Sequence, residues 1–340
     1  MCVVFFVHSW RTLIVSLAIA NRTAIASAEI SVTFISTRGF GAKVRKLGYK
    51  AICLDKDFHI PYQYAASSSY WQYIREYARD LRVRVGRVDT MYLPHLRDPL
   101  MQVVLQAIKP ENPQFIEEGC LFPRLQEIGN TRDRTQYEDI CFERMDNEYF
   151  MLPKYIQKRS RCRAFLHCTA DNHDVRGIDL SVISDNEIRS VLRQSGLDQD
   201  VRHISGLHKQ IIHIGTKDEC DPRVLYESLR VVGEVAAQMG RTHHYVGHPS
   251  FHLHHERQAI RDILKRFNVC LYPNALCVES LLFVERGLVF AGDYSTLSIT
   301  ALRLGHRYFL INEKLKHLLP DRPAQEEFLS ESPWAKQLMT

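Results

Sequence analysis

Short apolar runs rich in β-branched residues recur along this chain, and segments with helical spacing separate them. Val3–Val7, Ile30–Ile35 and Lys50–Leu54 read as strands, with Trp10–Ser27 and Gly41–Leu47 as the helices between them. Helices over Tyr70–Leu81 and Pro99–Ile108 and a strand over Gln114–Ile116 follow. From Gly119 to about Leu197 the pattern weakens. It resumes with strands at Gln210–Ile214, His243–Val246, Val269–Leu271, Leu288–Ala291 and Tyr308–Ile311. Between these lie helical patterns over Arg223–Met239, Glu256–Phe267, Val278–Glu285 and Leu297–Leu304, with Gly240 as a C-terminal cap. Strand–helix alternation specifies a parallel sheet covered by helices on both faces. Two such stretches predict an α/β chain of two doubly wound, Rossmann-like domains facing each other across a cleft, with the break near residues 200–208.

Composition narrows the class. The chain has 340 residues, and at about 150 residues per domain that length also points to two domains. A hydrophobic fraction of 45% excludes disorder as the dominant state. The formal net charge of +5 suits anionic substrates or a membrane face and falls short of a nucleic-acid binder. Nine scattered cysteines with no CxxC pair indicate reduced thiols rather than a disulfide framework. The segment from Met1 to Ala28 has a signal-peptide flavour, but no basic residue precedes Val3, and His8, Arg11, Asn21 and Arg22 interrupt its apolar run. A buried first strand and helix is the expectation there. The basic run Lys154–Arg163 reads as a solvated face, or as a surface for an acidic acceptor or lipid headgroup.

Three strand ends carry groups capable of chemistry, and ligands of open α/β sheets bind beyond such ends. Glu117-Glu118-Gly119 follows the strand ending at Ile116. Neighbouring side chains on an extended segment point to opposite faces, so one carboxylate can face a cleft as a general base while the other braces the loop. Tyr245-Val246-Gly247-His248-Pro249-Ser250 offers an imidazole, with a pKa near 6.5, able to serve a phosphate oxygen. The surrounding His243, His244, His252, His254 and His255 raise the question of a metal. Pro249 breaks any helix through them and no carboxylate ligand is suitably spaced, so no metal is expected. The third end is Gly292-Asp293-Tyr294-Ser295-Thr296, where hydroxyls open a helix. It reads equally as an N-cap and as an anion site.

An acidic pair with glycine, then HP, then Ser-Thr at a helix start resembles, in order and context, the bacterial sialyltransferases of the lipooligosaccharide and polysialic-acid families. Those are GT-B enzymes with D/E-D/E-G, HP and S-S/T motifs. Phe5-Phe6-Val7-His8-Ser9 also looks like their first strand and loop. The resemblance spans residues 3–9, 88–119 and 210–311, and residues 120–205 match nothing placed. It implies an N-terminal acceptor-binding domain over 1–205 and a C-terminal CMP-donor domain over 206–340. It implies Glu117 as general base and Glu118 as loop-positioning acid beside Gly119. His248, followed by Pro249, would serve the phosphate of departing CMP. Ser295 and Thr296 would hold that phosphate, and Glu279 would take the cytidine ribose hydroxyls. The implied activity is metal-independent, inverting transfer of sialic acid from CMP-sialic acid, with no cofactor. The acceptor would be a surface oligosaccharide or glycolipid, reached from the cytoplasm with peripheral membrane contact and no nucleic acid. Asp293-Tyr294 before the hydroxyl pair departs from the motif. A CMP-Kdo transferase, a teichoic-acid-type polyol-phosphate transferase and a non-catalytic nucleotide- or glycan-binding GT-B module are the alternatives.

Overall fold

The first strand, β1 (Cys2–Val7), stands in the interior of a seven-stranded sheet, with Val3 to Val7 wholly buried. Parallel sheets bury both faces, which is why this strand is a continuous apolar run. β2 (Ser31–Ser36) and β4 (Thr90–Leu93) flank it. The ring of Phe5 stacks on Phe34 and Tyr92, its partners in register, at centroid distances of 5.2 and 4.6 Å. β3 (Lys50–Cys53), β5 (Asn112–Ile116), β6 (Arg163–Leu166) and β7 (Asp179–Val182) complete the order β3-β2-β1-β4-β5-β6-β7, every pair parallel. In this computed structural model the described residues are 1–24, 30–36, 40–54, 68–94, 104–105, 107–117, 163–167, 179–248, 258–272, 277–293 and 295–318.

α1 (Trp10–Ala24) is buried continuously from Trp10 to Ala20, polar Arg11, Thr12 and Ser16 included. Its start is capped reciprocally. Ser9 Oγ accepts from Thr12 N at 3.1 Å, and Thr12 Oγ1 accepts from Ser9 N at 3.0 Å. α2 (Phe40–Lys46), α3 (Ser68–Val85) and α4 (Asp185–Gln194) follow in this part. Arg22, in the last turn of α1, binds the Glu187 carboxylate of α4, and this bond holds the Glu187 carboxyl down at about 2.

The second sheet has β8 (Gln210–Ile214) at its centre and runs β10-β9-β8-β11-β12, all parallel. Its other strands are β9 (Thr242–Val246), β10 (Cys270–Leu271), β11 (Val289–Gly292) and β12 (Arg307–Leu310). The helices are α5 (Gln199–Arg202), α6 (Pro222–Gln238), α7 (Gln258–Phe267), α8 (Val278–Val284), α9 (Thr296–Arg303) and α10 (Asn312–Leu315). Asp221 caps α6 by accepting from Arg223 N at 2.8 Å, Pro222 opens it, and Gly240 follows it with φ 61°. Ile211, Val232 and Val289 pack with Leu315 into one core between sheet and helices.

Contacts divide the chain into Met1–Val191 and Leu192–Thr340. Each unit carries one sheet, and the second repeats the order of the first five strands of the first. In both, the connection reverses direction beside the first strand, which makes the carboxyl edge there the place where a ligand enters. β4, β6, β7 and α4 are additions to the sequence reading. The basic run Lys154–Cys162 and most of Pro99–Ile108 lie outside the described residues. Among the described cysteines, Cys2, Cys53 and Cys270 are free thiols. Among the described residues no helix is long and apolar enough to cross a membrane.

Candidate functional site

Pairing register sets the carboxyl edge of the second sheet. Val246, Ile214 and Gly292 form one level row across β9, β8 and β11. Strands lie about 4.8 Å apart, so the ends of β9 and β11 are about 10 Å apart with β8 between them. Past that row stand His248 after β9, Gly215-Thr216 after β8, and Asp293 and Ser295 after β11. Two glycines make the row possible. A Cβ on Gly215 would lie 2.4 Å from Tyr245 Oη and 2.7 Å from Glu219 Oε2. One on Gly292, whose φ is 158°, would lie 2.7 Å from both Ile214 O and Tyr308 Oη.

Ser295 is the N-cap of α9. Its Oγ accepts from Ser298 N at 3.2 Å, while Ser298 Oγ accepts from Ser295 N at 3.1 Å. The buried Tyr308 hydroxyl donates to Asp293 O at 3.1 Å and braces the turn. The cap and the anion-binding reading are therefore compatible, because this arrangement aims the first-turn amides of α9 at the carboxyl edge. Glu279 stands half-buried in the first turn of α8, which begins at the same edge on the way from β10 to β11. His248 is also half-buried.

Beneath this edge runs a buried polar network that the sequence reading missed. Glu219 and His213 are both fully buried, with Glu219 Oε1 3.0 Å from His213 Nε2. Tyr245 Oη donates to Glu219 Oε2 at 2.7 Å, and Thr216 N donates to the same oxygen at 3.2 Å. Burial alone would raise the Glu219 pKa. The charge of His213 and the donated hydrogen bonds outweigh it and hold the carboxyl below the usual carboxylate range. His243, 3.2 Å from His213 Nδ1, is pushed down to about 3 by burial and then by its histidine neighbours, so it is neutral. One signal was legible: Thr216 to Glu219 has the T-x-x-E spacing of a capping box, and the structure forms it.

The carboxyl edge of the first sheet carries Glu117. It is fully buried, its amide donates to Phe165 O at 2.9 Å, and its Oε2 accepts from the amide of His167. The side chain thus turns inward, whereas the sequence reading gives Glu117 the outward place of a base. The His167 ring is fully buried, with Nδ1 2.7 Å from Arg11 Nη1 and Nε2 2.7 Å from Asp185 Oδ1. A guanidinium only donates, so Nδ1 accepts, and the ring is neutral with its proton on Nε2 facing Asp185.

The expected residues therefore fall into two groups. His248, Glu279, Ser295 and the Thr296 backbone share the carboxyl edge of the second sheet, and Glu117 belongs to that of the first. Glu118, Gly119, Pro249 and the Thr296 side chain lie outside the described residues. Among the described residues no three His, Cys, Asp or Glu side chains are grouped to hold a metal ion.

No protein-family profile and no curated protein matches this sequence. Solved structures do. A 2,6-sialyltransferase from Vibrionaceae Photobacterium sp. JT-ISH-224, in a ternary complex with CMP and lactose, aligns with a TM-score of 0.53 at 12% identity, over 91% of this chain and 71% of that one. The chain has the GT-B fold. A UDP-GlcNAc 2-epimerase from Neisseria meningitidis bound to UDP-GlcNAc also aligns at 0.53, with 13% identity over 92% and 82% of the two chains. A putative UDP-N-acetylglucosamine 2-epimerase from Listeria monocytogenes gives 0.51, with 11% identity over 92% and 79%.

Proposed function

We propose that this chain is an inverting glycosyltransferase that moves sialic acid from CMP-sialic acid to a hydroxyl of a surface-glycan acceptor. The observation that carries the reading is the carboxyl edge of the second sheet, where His248, Glu279 and the Ser295 cap of α9 surround the Gly215–Thr216 turn. The CMP and lactose held by the Photobacterium structure support this choice of donor and acceptor class.

In this mechanism the α9 amides, Ser295 and Thr296 bind the donor phosphate, and Glu279 accepts the ribose hydroxyls. Pro249 fixes the backbone after His248. The acceptor oxygen attacks the anomeric carbon from the face opposite the phosphate, the carbon–oxygen bond to CMP breaks, and CMP leaves with the electron pair. His248 donates to the phosphate oxygen as charge develops there. The acceptor proton passes to the acidic pair of the first unit. Because Glu117 is buried and committed to the His167 amide, we assign it the bracing part and give Glu118 that of the base, with Gly119 allowing the turn. His248 and the helix N-terminus supply the counter-charge that a metal would otherwise bring.

The test presents CMP-sialic acid, CMP-Kdo and UDP-GlcNAc in parallel, with and without lactose, in EDTA. The expected result is CMP release from the sialyl donor alone, accelerated by lactose. Release only from CMP-Kdo would move the donor, and conversion of UDP-GlcNAc would replace transfer by epimerisation. Binding of CMP without release would leave a polyol-phosphate donor or a binding module.

Peripheral contact with the cytoplasmic face of an anionic membrane belongs to the same proposal. α3 exposes Arg79 and Arg82 beside Val83, which is 80% exposed, a pairing of cation and apolar surface suited to an anionic interface. Sedimentation with phosphatidylglycerol vesicles, absent with phosphatidylcholine and weakened by salt, is the expected behaviour.

A further inference from the structure

A buried arginine in α1 has no part in the mechanism just given. Arg11 is only 6% exposed, in a helix buried continuously from Trp10 to Ala20. Burying a guanidinium is costly unless it is well paired, so its presence there calls for a reason. Its partner is a histidine 156 residues away in sequence, at the end of β6. The His167 ring is gripped on both nitrogens, by Arg11 and by Asp185 of α4. The amide of the same residue holds the Glu117 carboxylate. Facing Glu117 are thus His167 from the end of β6, Arg11 behind it from α1, and Asp185 from α4.

We infer that Arg11 and His167 are positioning residues for the acidic motif, fixing Glu117 in one rotamer and placing a cation behind it. The inference rests on the reading that this pair supplies the base. Burial raises the proton affinity of a carboxylate, and Glu117 is fully buried. The guanidinium, one residue removed from Glu117, offsets that effect. The neutral tautomer of His167 is what lets the ring link the cation to Asp185 without adding a charge of its own. Asp185 has a side chain 37% exposed and closes the chain of contacts toward solvent.

The test uses the full chain, CMP-sialic acid and lactose, with four variants: Arg11→Lys, Arg11→Met, Asp185→Asn and His167→Gln. Arg11→Met and His167→Gln are expected to lower kcat about tenfold to hundredfold with an unchanged KM for the CMP donor, whose proposed binding residues all belong to the other unit. Arg11→Met is also expected to move the acid limb of kcat/KM upward by about one pH unit, because the acidic motif loses the cation behind Glu117. Arg11→Lys, which still donates to Nδ1, is expected to restore most of the rate. Asp185→Asn is half-exposed and tolerates change, so a tenfold loss of kcat there serves if Arg11→Met does not fold. A lowered melting temperature with kcat and the acid limb unchanged would overturn the inference, since a purely structural bolt behaves that way. Wild-type chain that releases CMP from no donor would overturn the functional reading instead.

Discussion

Glu118→Gln is expected to lower turnover about 10²- to 10⁴-fold while CMP binds as before, the loss that follows removal of a general base. The amide keeps the shape of the carboxylate but cannot take the acceptor proton. Glu117→Gln is expected to behave differently, because the native oxygen accepts the His167 amide in the interior. There the melting temperature falls together with the rate. His248→Ala gives a third pattern, weakening CMP binding as well as turnover, since the imidazole serves the phosphate in both states. Calorimetric titration with CMP alongside the release assay separates the three. Full activity in Glu118→Gln with none in Glu117→Gln would return the base to Glu117.

Glu219→Ala is expected to destabilise the second unit by about 3–5 kcal/mol, since three donors would lose their acceptor at about 1–3 kcal/mol each. His213, the Tyr245 hydroxyl and the Thr216 amide would each lose their acceptor. Acid sensitivity is expected from the same carboxylate. Its folded pKa lies below the unfolded value of about 4.3, so its stabilisation is present above that value and fades as pH falls through the lower folded one. Denaturant titrations at neutral and acid pH should therefore show the wild-type chain losing more stability on acidification than Glu219→Gln. Equal pH slopes would mean that the carboxylate is not ionised in the folded state.

Legibility in the sequence followed burial and local composition. β1, β8 and β11 are apolar runs in sheet interiors, and the sequence reading places them within a residue or two at each end. β7 (Asp179–Val182) is an edge strand with Leu180 and Val182 exposed, so its composition carries no inward face to read. β4 and β6 are as short as β3 and β11, and β6 begins at the end of the basic run Lys154–Arg163, which hides its apolar residues. Site residues were legible where a local signature exists, as with the hydroxyls that open α9 at Ser295. Arg11–His167–Asp185 and His213–Glu219–Tyr245 were not, because their members join only when α1 and α4 meet the end of β6, or β8 meets β9. A single histidine inside Gln210–Ile214 says nothing until its partner arrives.

The interior place of β1 also has a consequence on the ribosome. The strand and the buried part of α1 emerge well before β4 and β5, which begin only at Thr90 and Asn112. At about 5–20 residues per second, Val3–Val7 waits roughly 5–20 s for the neighbours that cover it. For that interval the most apolar stretch of the unit is an open sheet edge. Nascent chains should accordingly be held by chaperones early in synthesis, and overexpression should outrun that protection before it exceeds the stability of the finished fold.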